Sequence, residues 1–466
     1  MKNTQAKRPL KVPHVYILLL GMILFFAILS YIVPAGQYDM ITVDDREIID
    51  STSFRHIEQT PVSPMNFLTA LPRGLIESAQ IIFFIFIVGG SFAVLNQTKS
   101  IEAAMGKLIT AMKEKTILII PMVMIAFSLL GAVFGMAEET IPFIPIFVSL
   151  FIAMGYDSIT GAAIVFVGAC TGFAAAFINP FTVQVAQGIA GLPILSGMPF
   201  RIVMYVVMTG LAIVMVMRYA KKVKQDPTLS PMYETDSMRK DVMKLEDLEE
   251  LTTTRKVVLL VFLATVVLLI LGVVQWGWYM NEIAALFLGM SFVVAIVSRM
   301  GFNNYANALS DGMTDIASGA LVVGFARGIL VVMIDGNILH TILYAAANFL
   351  GQFPSAISAA GMYVFQCLLN VLVPSGSGQA AISIPIMAPL GDLVGVTRQT
   401  AVIAFQLGDG LSNIITPTSG YFMAGLALAK IPWEKWAKWF IKIVAVLYLV
   451  GLIFVLIAQF MKLGPF

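Results

Sequence analysis

Val373-Pro374-Ser375-Gly376-Ser377-Gly378-Gln379 interrupts an apolar run, 356–395, that otherwise reads as membrane-spanning helix. A second run, 116–156, is interrupted in the same way by Ala137-Glu138-Glu139-Thr140. Backbone outside a helix has N–H and C=O groups that hydrocarbon cannot satisfy, so such a break at membrane depth must be enclosed by protein or face water. Both runs therefore read as re-entrant hairpins whose polar tips stop partway across. Each also reads as two ordinary spans joined by a surface turn, because hydropathy fixes length and not depth.

The rest of the chain suits a lipid setting. Of 466 residues, 59% are hydrophobic and 12% charged, where a soluble domain carries about 25% charged residues. Continuous apolar runs place spans near 14–34, 73–96, 199–219, 256–275, 279–299, 313–334 and 439–461, and interrupted spans at 159–190 and 399–428. The first run follows Lys2, Lys7, Arg8 and Lys11. At about 20 residues it is long enough to cross the bilayer, and no small-residue cleavage site follows, so it reads as an uncleaved span. Of the 29 Lys and Arg, 22 fall on one side of this arrangement. That side is the cytoplasm by the positive-inside tendency, which puts the N-terminus inside a bacterial cytoplasmic membrane and the C-terminus outside. Trp433, Trp436 and Trp439 with Lys435 and Lys438 read as an interfacial anchor before the last span.

Other classes lose ground on composition. A net charge of +2 gives no reason to expect nucleic acid as a partner, and two cysteines in apolar stretches exclude a disulfide scaffold or a cysteine metal site. His14, His56 and His340 are far apart. With no nucleophile–base pair readable, the chain is not expected to be an enzyme, nor to need a cofactor beyond a coupling ion, sodium or a proton.

The charged, Pro-containing segment 220–255 reads as a cytoplasmic linker between an N-terminal repeat, 1–219, and a C-terminal repeat, 256–466. Shifted by 240, Val133 meets Val373, Pro145 meets Pro385, Gly155 meets Gly395 and Gly168 meets Gly408. At 238, Gly74 and Glu77 meet Gly312 and Asp315; at 239, Pro193 meets Pro432. Each half runs span, amphipathic stretch, interrupted hairpin, interrupted span, final span. The second half has an additional span, 279–299, and one extra crossing inverts every later element of that half. Inverted repeats with broken helices meeting near the midplane are a secondary-transporter design. The expected fold is thus an all-α polytopic membrane protein with two hairpins and two discontinuous helices.

Four motifs form the candidate site. Glu138, Glu139 and Thr140 place two carboxylates where each costs roughly 2.5–3.5 kcal/mol to insert, so they need a cation, a proton or a positively charged substrate. Around Asn179, Pro180 breaks its span and leaves carbonyls, the Asn179 amide and Thr182 available to a ligand; a kinked packing helix is the plainer reading. Ser375, Gly376, Ser377, Gly378 and Gln379 present small side chains and N–H groups ahead of a helix, which suits a carboxylate. Asp409, Ser412, Asn413, Thr416, Thr418 and Ser419 crowd an apolar segment with an acid, an amide and hydroxyls. A coupling-ion site is expected near Asn179, Asp409 and Asn413. Arg327, inside the 313–334 span, reads as a structural ion pair with Asp315, Asp335 or Glu77.

The stretch Ile32-Val33-Pro34-Ala35-Gly36-Gln37-Tyr38, the tip Val373–Gln379 and the segment Gly408-Asp409-Gly410 through Asn413 to Pro417-Thr418-Ser419-Gly420 are similar to the YfcC family. That family sits with the DcuC-type anaerobic carriers in the ion transporter superfamily, and the similarity runs over essentially the whole chain. The resemblance implies a dimerising scaffold domain, hence a homodimer in lipid, and a mobile domain carrying both hairpins in an elevator-like shift. It implies a small-molecule substrate held between hairpin tips and unwound helices, a basic amino acid in exchange or a C4-dicarboxylate. The dicarboxylate/sodium branch of the superfamily has Ser-Asn-Thr tips, from which Glu138-Glu139-Thr140 and Ser375-Gly376-Ser377 depart. On the residues, an arginine- or ornithine-like amino acid is favoured over a C4-dicarboxylate; a channel or a non-transport membrane protein is the alternative from another class.

Overall fold

The structure, a computed structural model, describes residues 15–464 except 44–45, 51, 102, 105–106, 108–112, 180, 240–249 and 279. The basic N-terminal cluster, Pro180 and the middle of the charged linker lie outside the described residues. Among the described residues, six helices are long and apolar enough to cross a membrane, and a seventh if Phe302–Ala317 and Ala320–Asp335, bent by 42°, count as one span. The chain is a multi-pass membrane protein.

The first helices are α1 (Val15–Leu29), α2 (Pro64–Glu77) and α3 (Ala79–Gln97). The span expected at 73–96 is corrected here: its first residues end α2, and the crossing helix begins at Ala79. Ser63 caps α2 by accepting the Asn66 N–H, and the chain turns at Ser78. Between α1 and α2 lie two short antiparallel ribbons, β1 (Gly36–Gln37) with β4 (Arg55–His56) and β2 (Met40–Val43) with β3 (Arg46–Ile49). They are the one departure from an all-helical chain among the described residues.

The first interrupted unit comprises α4 (Ile119–Leu129), a wide turn over Leu130–Phe134, a tight turn over Glu138–Phe143 and α5 (Ile144–Ala153). It is followed by α6 (Ser158–Ala174), a break, α7 (Val183–Ile189) and α8 (Met198–Gln225). After α9 (Tyr233–Ser237) in the linker come α10 (Thr253–Trp276), α11 (Met280–Val297) and the 34-residue α12 (Phe302–Asp335). The second interrupted unit is α13 (Leu339–Leu350), α14 (Ser355–Leu372), a break at Val373–Ser375, and α15 (Gly376–Val394). Then α16 (Arg398–Ser412), a break over Asn413–Ser419, α17 (Gly420–Leu428) and α18 (Trp433–Phe460) complete the chain.

Two bundles result. In one, α12 packs against α1, α2 and α3, and α11 packs on α3 and α10. In the other, α4 and α5 pack on α6, and α14 and α15 on α16, with α6 against α16 at the centre. The contacts cross over: α15 touches α7, and α17 touches α5 and the Glu138–Phe143 turn. Small residues set this spacing. A Cβ on Gly172 would stand 1.9 Å from the Ser128 carbonyl oxygen, and one on Gly410 would stand 2.4 Å from Ala174 Cα.

Positions 240 apart hold like places. Gly155 (φ 82°) and Gly395 (φ 75°) each end a return helix in the left-handed conformation that glycine accepts freely. Two residues on, Asp157 and Thr397 cap α6 and α16 by accepting the N–H of Thr160 and Thr400. Gly168 and Gly408 lie against the outgoing leg of their own interrupted unit, beside Met124 and Gln366.

The described part of the linker is docked. Ser230 and Tyr219 donate to Asp157 Oδ2, Ser158 N–H donates to Asp236, and Arg239 Nη2 donates to the Ala429 carbonyl at 2.7 Å. It ties the start of α6 to the end of α17.

Candidate functional site

The first tip folds on itself. Gly135 takes φ 68°, and a Cβ there would meet Asn179 Oδ1 at 2.4 Å, so both backbone and space call for glycine. Ala137 N–H donates to Glu139 Oε2 (3.0 Å), and the Thr140 hydroxyl donates to the Ala137 carbonyl (2.6 Å). Asn179 shapes the break after α6, its Oδ1 accepting the N–H groups of Phe181 and Thr182. The N–H groups of Ile178 and Asn179 donate to the Ala132 carbonyl, which fastens the break to the tip.

At the second tip, Ser375 caps α15 by accepting the Gly378 N–H. A Cβ on Gly376 would lie 2.4 Å from Thr182 Cγ2 and 3.0 Å from Asp409 Oδ2, so this tip abuts the first break and α16. Behind it runs a buried polar web. Asn370 Nδ2 donates to Asp409 Oδ1 (2.8 Å) and to Gln379 Oε1 (3.2 Å). Asn413 Nδ2 also donates to Asp409 Oδ1 (3.1 Å), and Gln379 Nε2 donates to Gln366 Oε1 (2.7 Å). Asp409 Oδ2, Asn370 Oδ1 and the Thr182 hydroxyl are buried without a hydrogen bond.

The second break is capped from outside the motif. Trp433 and Trp436 donate their indole N–H groups to the carbonyls of Ile415 and Ile414, both at 2.9 Å. Trp436 is fully buried against Phe166 and Phe422, so of the three tryptophans expected to anchor the last span at the interface, this one faces protein. A carbonyl freed at membrane depth needs a donor, and an indole supplies one inside an apolar body.

Both tips and both breaks meet at a cavity of about 720 Å³. Eight of the sixteen candidate residues line it: Glu138, Glu139, Thr182, Ser375, Gly376, Ser377, Asn413 and Thr418. The other eight stand behind. Thr140 and Asn179 brace the first tip, Gln379 and Asp409 belong to the buried web, and Ser412 bonds to Tyr448 and to the Gly408 carbonyl. Thr416 bonds to Thr418, Ser419 lies buried, and Gly378 faces its own cap.

The opposite wall was not among the candidate residues. It includes Glu77, Ser78, Val323, Arg327 and Trp278. Arg327 pairs with Glu77 at 2.8 Å, whereas Asp335 pairs with Arg73 and Asp315 with Lys430. The intramembrane charges were the signal; their common cavity was not readable from spacing. The cavity therefore offers carboxylates at one tip, and hydroxyls with a helix N-terminus at the other. Among the described residues, no group of three or more His, Cys, Asp or Glu could hold a metal ion.

The family model for DcuC, C4-dicarboxylate anaerobic carrier, matches residues 12–460. The Escherichia coli (strain K12) protein named "Putative basic amino acid antiporter YfcC" is 35% identical over 500 residues, covering 98% of both chains. An uncharacterized protein of Haemophilus influenzae is 28% identical over 503 residues, covering 98% of this chain and 99% of its own. Among solved structures, the Alcanivorax borkumensis YdaH transporter aligns with a TM-score of 0.43 at 17% identity, over 96% of this chain and 98% of that one.

Proposed function

The chain belongs to the DcuC family of C4-dicarboxylate anaerobic carriers and is a membrane transporter, and from that premise we propose that it exchanges arginine- and ornithine-like amino acids across the membrane. The observation that carries this is one cavity lined both by Glu138 and Glu139 of one tip and by the capped N-terminus of α15 with Ser375 and Ser377 of the other. The substrate's cationic end meets the carboxylates. Its carboxylate meets the N–H groups and hydroxyls, because a helix N-terminus favours an anion. The name of the Escherichia coli relative is in line with a cationic cargo.

The movement we propose is an elevator-type shift. Residues 1–219 and 256–466 act as inverted repeats joined by 220–255, and the like places of Gly155 and Gly395, Asp157 and Thr397, support that pairing. The interrupted units, as re-entrant hairpins, travel with α6, α7, α16 and α17. The bundle around α12 stays as the scaffold and forms the homodimer contact. The N-terminus is cytoplasmic. A coupling sodium ion or proton sits near Asp409 and Asn413, close to the Asn179 break. Asp409 Oδ2, Asn370 Oδ1 and the Thr182 hydroxyl are the oxygens free to take it.

A second reading, a C4-dicarboxylate carrier, is favoured by the family description; the tip carboxylates would then hold coupling cations. Proteoliposomes loaded with ornithine decide between them. Labelled arginine taken up only against internal ornithine supports the exchange reading, and uptake of succinate alone, requiring sodium, replaces it with the second.

A further inference from the structure

Two ion pairs join α2 to α12, and they are built differently. Arg73 meets Asp335 with both terminal nitrogens on both carboxylate oxygens, so that its fork is closed. Arg327 meets Glu77 through Nε alone, 2.8 Å from Oε2, and its Nη1 and Nη2 make no hydrogen bond to a described residue. Arg327 and Glu77 line the cavity; Arg73 and Asp335 do not. A guanidinium with two free terminal nitrogens is matched in shape and charge to a carboxylate, which it takes through paired N–H···O bonds.

The second difference is one of place. The residues of the tips sit in the bundle that contains α6 and α16, whereas Arg327 sits on α12 in the other bundle. If the tips carry substrate away from α12, a contact to Arg327 exists on one side of the cycle only.

We propose that Arg327 is a carboxylate-recognising residue on the fixed wall of the cavity, held in position by Glu77 and engaged only while the tips face α12. The proposal rests on the elevator reading and deepens it. Arg327 receives the carboxylate of an arriving amino acid alongside the N-terminus of α15, and loses it when the tips move. It therefore sets affinity on one face of the membrane and not on the other. It also distinguishes an amino acid from its decarboxylated amine.

The test uses right-side-out and inside-out membrane vesicles of the full-length protein, labelled arginine exchanging for ornithine, and agmatine as a competitor lacking the carboxylate. Arg327→Gln is expected to raise the half-saturating arginine concentration about ten-fold on one face, the loss of one charge-assisted contact. The other face and the competition by agmatine stay unchanged. Arg327→Lys, which keeps the charge and loses the fork, falls between. Arg73→Gln, which breaks an ion pair of the same helices away from the cavity, behaves as wild type and controls for folding. An equal shift on both faces, an equal shift for arginine and agmatine, or no shift overturns the proposal. Should the wild type carry succinate and not arginine, the substrate reading falls, and a one-sided shift with succinate still decides the role of Arg327.

Discussion

Glu139 is almost wholly buried, with one oxygen engaged by the Ala137 N–H. A carboxylate so placed has little water to fall back on, so its charge is worth most to a cation brought into the cavity. Glu139→Gln keeps the size and the acceptor for Ala137 while removing the charge. The expected outcome is a rise of at least about ten-fold in half-saturating arginine, the scale of a charge-assisted hydrogen bond. Citrulline, its neutral analogue, gains on arginine in competition. Equal loss for both would assign Glu139 to the shape of the tip rather than to the substrate. Asp409 is the complementary case, with one carboxylate oxygen accepting from Asn370 and Asn413 and the other accepting nothing. Leaving a buried acceptor unpaired costs about 1–3 kcal/mol, which a bound cation or proton offsets. Asp409→Asn retains the paired oxygen, so the fold is expected to persist. Uptake loses its dependence on a sodium or proton gradient, while arginine–ornithine exchange continues. Gradient dependence equal to wild type would remove Asp409 from the coupling site.

Between elements, the spacing of helices depends on glycines with no room for a methyl group. A Cβ on Gly172 would run into the Ser128 carbonyl of α4, whereas one on Gly188 in α7 meets nothing within 4 Å. Overpacking costs typically about 1–3 kcal/mol, more where the obstacle is backbone. Gly172→Ala is therefore expected to lower the melting temperature in detergent by several degrees, with Gly188→Ala close to wild type; equal melting of the two would mean that α4 and α6 separate easily. The same physics governs how much of the fold was legible in the sequence. Long apolar runs announce spans because the bilayer dictates their length, and polar residues inside those runs announced the tips and breaks. α2 was missed because a 14-residue helix carrying Pro72 and Arg73 is neither long nor apolar enough to register. Trp433 and Trp436 read as an anchor because sequence displays their amphipathic character and not the carbonyls their N–H groups meet. The wall of the cavity was invisible for a related reason: Glu77 and Arg327 are 250 positions apart, and only the packing of α2 on α12 brings them together. In the same way, sequence gives no means of telling Thr182, which lines the cavity, from Asn179, which shapes the break behind it.

At the scale of the molecule, the question is whether the two bundles move against each other. Across their boundary α12 and α3 meet α17, α11 and α3 meet the Glu138–Phe143 turn, and α15 meets β3. The bundle around α6 and α16 is bound into one unit through the Cys170 thiol on the Gly410 carbonyl, the cap of Trp436 on Ile414, and the linker strap from Asp157 to Ala429. An elevator needs a unit that keeps its own contacts while sliding along a boundary that does not. The boundary has a place to test this. A Cβ on Gly420 would lie 2.9 Å from Val323 Cγ1, so cysteines at the two positions come within reach of a disulfide. In a background with Cys170 and Cys367 replaced by alanine, Val323→Cys with Gly420→Cys is expected to exchange arginine when reduced. It should stop when oxidised and recover with dithiothreitol, each single variant being indifferent to oxidant. Full transport by the cross-linked protein, with cross-linking verified by mass spectrometry, would mean that α17 and α12 stay together through the cycle. Access would then have to alternate by movements of the two tips alone, within a bundle that remains in place.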